Sequence, residues 1–175
     1  LLEGPYEALG RWVALAALLE RKLERVFDDQ QQFPLLRARA VALSRGDATP
    51  EAQRVAWTRW LAVGPPSTDA VAEFVALCLS DLGTQGVVDV VEAARPQKVA
   101  RRLLLETLPS ETEIVPRLRR IEARACVSSG EHAIAIDVWR RVLEERPADD
   151  EAVGALERLY RKTGDTASLV ALLEG

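Results

Sequence analysis

Arg117, Arg120 and Arg124 recur at i, i+3 and i+7, so on a helix they line one side, with Arg119 beside them. Each guanidinium is a planar fork of donors that stays charged, and its natural match is a carboxylate or a phosphate. Arg158, Arg161 and Lys162 extend the same cationic set about one helical hairpin further along the chain. The chemistry these side chains offer is recognition, and the ligand they predict is an acidic peptide segment or C-terminus. The competing reading is a solvated helix face neutralised by Glu111, Glu113 and Glu122.

No other residue set offers a reaction. His132 is the single histidine, so it has no second imidazole with which to bind a metal, and it is expected to be an ordinary exposed residue. The sequence contains no GxSxG elbow, no GxxxxGK[ST] phosphate loop, no GxGxxG and no HExxH. Cys78 and Cys126 have neither CxxC spacing nor a Cys/His partner pattern, and are expected to be buried, inert thiols. The chain is therefore read as non-catalytic, with no cofactor and no metal. Of the four tryptophans, Trp57 and Trp139 fall on apolar stripes and belong to the core. Trp12 and Trp60 are less constrained and are candidates for partial exposure.

Composition narrows the class. Hydrophobic residues at 48% and charged residues at 29% are globular proportions, which argues against disorder over most of the length. A net charge of −4 argues against a sequence-independent nucleic-acid binder, whose surface is normally basic. Arginine far outnumbers lysine, consistent with a GC-rich genome rather than a function. The longest clean apolar stretch, Val13 to Leu19, is far shorter than the about 20 residues of a membrane helix, so no membrane insertion is expected. The start at Leu1 and the lack of Met suggest a fragment of a longer chain. A cytoplasmic address is favoured, with any targeting signal left in the parent.

The elements that must position these residues are read from the turns. Gly10, Gly46, Gly83, Gly130 and Gly164 close successive amphipathic segments, and all but one of the gaps lie near the length of a two-helix repeat. The span from Gly83 to Gly130 is longer and predicts an extra or irregular helix around 84–110. After Gly130, Ala135, Ile136, Trp139, Val142 and Leu143 form one apolar stripe, and Pro147 stops the segment. Asp149-Asp150-Glu151 suits the start of the next helix, which buries Val153, Leu156, Leu159 and Tyr160. Thr49-Pro50, Ser67 after the breaker Pro65-Pro66, and Ser110 with Glu113 are further start signals. Together they predict helices at about 11–27, 30–45, 50–63, 67–82, 84–94, 97–108, 111–129, 131–146, 149–163 and 165–174, with 1–9 as the tail of an earlier one. Gly86-Val87-Val88-Asp89-Val90-Val91 is the least helix-like stretch, but it has no partner strand.

On these residues the chain resembles the tetratricopeptide repeat family. Gly130, Ala135, Trp139, Val142 and Pro147 look like that family's second helix, with Val142 in place of the usual Ala. Trp57 and Pro65 repeat the spacing, although Gln53 stands where a small residue is usual. Tyr160-x3-Gly164 and Tyr6-x3-Gly10 resemble the end of the first helix. The resemblance implies a right-handed α-solenoid of stacked antiparallel hairpins over 1–175, with the cationic side chains on its concave face and a protein partner docked there. Leu169, Val170, Leu172 and Leu173 predict an exposed apolar end, and with it self-association through the terminal helices.

Overall fold

The computed structural model describes residues 3–64, 67–108 and 113–174, with the side chains of Glu3 and Glu7 left aside. All its regular structure is helical, and no strand occurs among the described residues. In chain order the helices are α1 (Glu3–Ala8), α2 (Trp12–Leu23), α3 (Asp29–Arg45), α4 (Pro50–Val63), α5 (Thr68–Ala94), α6 (Lys98–Thr107), α7 (Ile114–Ser128), α8 (His132–Glu145), α9 (Asp150–Thr163) and α10 (Thr166–Glu174). Contacts divide the chain into two compact units, Leu1–Ile114 and Val115–Gly175.

Local chemistry explains the boundaries. The side chains of Thr49, Ser67 and Asp149 accept the backbone N–H of Ala52, Ala70 and Ala152, at 3.3, 3.3 and 3.0 Å, so each satisfies a donor that the helix itself cannot. Pro50 opens α4, where its missing N–H costs nothing. The expected breaker Pro65-Pro66, and Ser110 and Glu111, lie outside the described residues. Helix α2 ends at Leu23 rather than near Phe27, because Asp28 must adopt an extended backbone to accept from Gln31 N–H and start α3.

Four of the five turn glycines, Gly10, Gly83, Gly130 and Gly164, have positive φ. Gly83 breaks α5, with φ 68° and ψ −175°, a conformation open essentially to glycine alone. The break divides the longest apolar helix into arms of 68–82 and 84–94, each shorter than a bilayer crossing requires. The β-branched stretch after it is helical, with Val87, Val88, Val90 and Val91 all buried. Gly46 departs from the expectation: its φ is −100°, and Asp47 takes the left-handed conformation instead. What requires glycine there is space, since a Cβ would lie 2.8 Å from the Trp12 Cβ.

In the first unit α1 packs on α2, α2 on α3, α3 on α4, α4 on α5 and α5 on α6, while α3 also touches α5. Its aromatic centre joins Phe33, Trp57, Trp60 and Phe74, with centroids 5.3 to 5.8 Å apart. Trp60, expected to be partly exposed, is fully buried because it bridges Phe33 of α3 and Phe74 of α5. Trp57 donates its indole N–H to Ser44 Oγ at 3.2 Å. Trp12 is half-buried under the Arg45 guanidinium, 5.3 Å from the ring centroid. Gln53 is buried and donates to the Ala48 carbonyl at 3.0 Å, so the larger residue is held by a polar contact.

In the second unit Ala123 and Cys126 of α7, Ala135, Trp139 and Val142 of α8, and Ala152, Leu156, Leu159 and Tyr160 of α9 form one core. Leu169 and Leu172 of α10 pack against it, so only Val170 and Leu173 of the predicted apolar end stay exposed, at 51% and 63%. Both cysteines are free and buried, as expected, and burial raises the Cys78 thiol well above its ordinary range, with Asp81 adding to the rise.

Candidate functional site

The cationic residues of the second unit separate by partner. Arg120 of α7 pairs with Asp149, the residue that caps α9. Burial pushes the Asp149 carboxyl up, but the Ala152 N–H and the Arg120 guanidinium outweigh it and hold the group below the ordinary carboxylate range. Arg119 pairs with Glu145 at the end of α8. Arg161 pairs with Glu157 one turn back on its own helix, at 2.5 Å. Arg117 is half-buried and has a partner of its own. The carboxylates paired with Arg119, Arg120 and Arg124 thus include Glu145, Asp149 and Glu151, contributed by segments C-terminal to α7. Glu122, expected on a solvated face, is only 3% exposed and accepts from Cys126 Sγ at 3.6 Å.

Arg124, Arg158 and Lys162 come together on one cleft of about 350 Å³ within the second unit. Val127 and Ser128 of α7, Ala155 and Leu159 of α9, and His132 and Trp139 of α8 complete its lining with Glu151. Arg158 and Lys162 are one helical turn apart and exposed, and neither forms a side-chain ion pair among the described residues. Arg124 donates from Nε and Nη2 to Glu151 Oε1 and Oε2 at 2.7 and 2.8 Å, a bidentate contact from α7 to α9. That contact holds the Glu151 carboxyl below its ordinary range. The cleft therefore carries three cations against one carboxylate, above an apolar floor.

Two residues of the cleft lining each carry a buried polar atom without a hydrogen-bond partner: Nε1 of the Trp139 indole and Nδ1 of His132. His132 is half-buried rather than exposed, because it opens α8 and lines the cleft alongside residues of α7 and α9. Glu151, Trp139, Val127 and Leu159 line the same cleft but were not legible as doing so. Their sequence signals, a helix-start acid and apolar stripe positions, are the same ones that ordinary helix packing produces. No group of His, Cys, Asp and Glu suited to a metal occurs among the described residues.

A scan against protein-family models finds no match, and searches of curated proteins and of solved structures likewise find none. Fold and site define an all-helical protein with a cation-rimmed, apolar-floored cleft.

Proposed function

We propose that the chain is a non-catalytic scaffold that docks a partner protein, and that the cleft between α7 and α9 takes an acidic segment of that partner. The observation that carries this is the convergence of Arg124, Arg158 and Lys162 on one apolar-floored cleft. Cations beside apolar surface match a peptide in which acidic and apolar residues adjoin. The absence of the known nucleophile and phosphate-loop motifs from the sequence agrees with binding rather than turnover.

The architecture we read is a right-handed α-solenoid of tetratricopeptide-like hairpins. Its support is a recurring pairing of alternate elements, which hairpins stacked in register would produce. Helix α3 touches α5; Arg54 of α4 reaches Asp89 in the second arm of α5 at 3.4 Å; Arg124 of α7 grips Glu151 of α9; and Arg140 of α8 donates to Ser168 of α10 at 3.3 Å. Four of the five turn glycines, Gly46, Gly83, Gly130 and Gly164, fall inside the hairpins so defined, and Gly10 falls between α1 and α2.

The test is fluorescence anisotropy with a capped acidic–apolar peptide, Gly-Ser-Glu-Leu-Glu-Gly, and its Gln-for-Glu counterpart. The reading predicts saturable binding of the acidic peptide that is lost in the Arg158→Glu/Lys162→Glu double variant. Equal binding of both peptides, or an indifferent double variant, would refute it.

A second reading, assembly through the chain's last helix, is favoured by one observation: α10 has no buried residue and exposes Val170 and Leu173. Sedimentation at rising concentration decides it. Assembly predicts a growing species that V170E/L173E abolishes, and a constant monomer dismisses it.

A further inference from the structure

We propose that Glu151 is a built-in competitor for the cleft: the ligand's carboxylate takes the position on Arg124 that the Glu151 carboxylate holds, and Glu151 thereby sets the affinity. This rests on the acidic-peptide reading above and deepens it.

Among the described residues two ion pairs link α7 to α9 and its cap, and they differ in kind. Asp149 is nearly buried, caps α9 and holds Arg120, so its side chain is fixed by two independent demands. Glu151 and Arg124 have side chains 39% and 52% exposed, and a pair of that exposure is weak and exchanges readily with other ions. The Arg124 fork is therefore the replaceable contact in the cleft. It is also the one best shaped for a carboxylate, because it already binds one through both arms.

The surroundings specify the ligand groups adjoining that carboxylate. Val127, one turn beyond Arg124 on α7, is 39% exposed although apolar, and it borders the cleft with Leu159 and Ala155. Arg158 and Lys162 stand on the α9 side of the same cleft. An incoming segment thus meets a carboxylate site, an apolar surface and a second cationic position. The class it selects is acidic–apolar–acidic. Glu151 opposes such a ligand twice, by occupying Arg124 and by repelling its charge.

The experiment measures anisotropy of the same acidic peptide against the whole chain, its Glu151→Gln variant and its Glu157→Gln variant. E157Q removes a carboxylate that pairs with Arg161 outside the cleft lining, and so controls for general charge. We expect E151Q to bind about two- to fivefold tighter than the parent, the loss of one partly exposed ion pair, with E157Q unchanged. An E151Q affinity equal to or weaker than the parent's, or an equal gain in E157Q, overturns the competitor role while leaving the cleft as a binding site. Failure of all three proteins to prefer the acidic peptide over its Gln counterpart overturns the binding reading itself, and the competitor role with it.

Discussion

Asp149 joins two helices through its two carboxylate oxygens: Oδ1 accepts the Ala152 N–H at 3.0 Å and so starts α9, while Oδ2 accepts from Arg120 of α7. One side chain thus provides a cap and a cross-helix ion pair. The two contributions separate by substitution. Asp149→Ala loses both and should destabilise the second unit by about 2–3 kcal/mol. Asp149→Asn keeps a capping oxygen and should cost about 1 kcal/mol. Urea unfolding followed by circular dichroism measures both, and equal losses would mean that the cap contributes nothing.

Acid should act on the same unit. The folded-state affinities of Asp149 and Glu151 for protons are lowered, the first by the Ala152 N–H and Arg120 overcoming burial, the second by the Arg124 hydrogen bonds. A depressed carboxylate stabilises the fold above its unfolded value of about 4 and stops doing so as pH falls through its folded value. The thermal midpoint should therefore be nearly level between pH 7 and about 5 and decline below about 4. Asp149→Asn should make that decline shallower. A midpoint that rises on acidification would contradict the assignment.

Trp60 probes the core of the first unit. It is fully buried against Phe33, Trp57 and Phe74, yet its indole N–H has no hydrogen-bond partner. Trp60→Ala opens a cavity and should cost about 3–5 kcal/mol. Trp60→Phe keeps a ring and removes the orphan donor, so it should cost well under half as much. Guanidinium unfolding distinguishes them, and a Phe variant as unstable as the Ala variant would show that the indole is satisfied.

Helix positions were legible in the sequence because caps, glycines and 3.6-residue stripes are local signals. Thr49, Ser67 and Asp149 perform as caps, and Gly83 and Gly130 turn the chain where their spacing placed them. Trp60 was misread because its burial depends on Phe33 and Phe74, which lie on other helices. The site was legible only in its charges. Arg124, Arg158 and Lys162 are conspicuous residues, but whether an arginine is spent on a neighbour depends on the packing of α7 against α9. That packing assigns Arg120 to Asp149 and leaves Arg158 beside the cleft. Glu151 gave no sign of lining the cleft because an acid in a helix's first turn already has a reason to be there.

Whether the cleft is where an acidic ligand docks is read most plainly by chemical-shift mapping, with the acidic–apolar peptide titrated into the isotopically labelled chain and followed by nuclear magnetic resonance. Docking there predicts progressive shifts confined to the cleft: the Trp139 indole N–H and the amides around Val127, Ala155 and Leu159, with the Arg124 side chain moving in step. A spectrum that the peptide leaves unmoved, or shifts gathered away from α7 and α9, would contradict it.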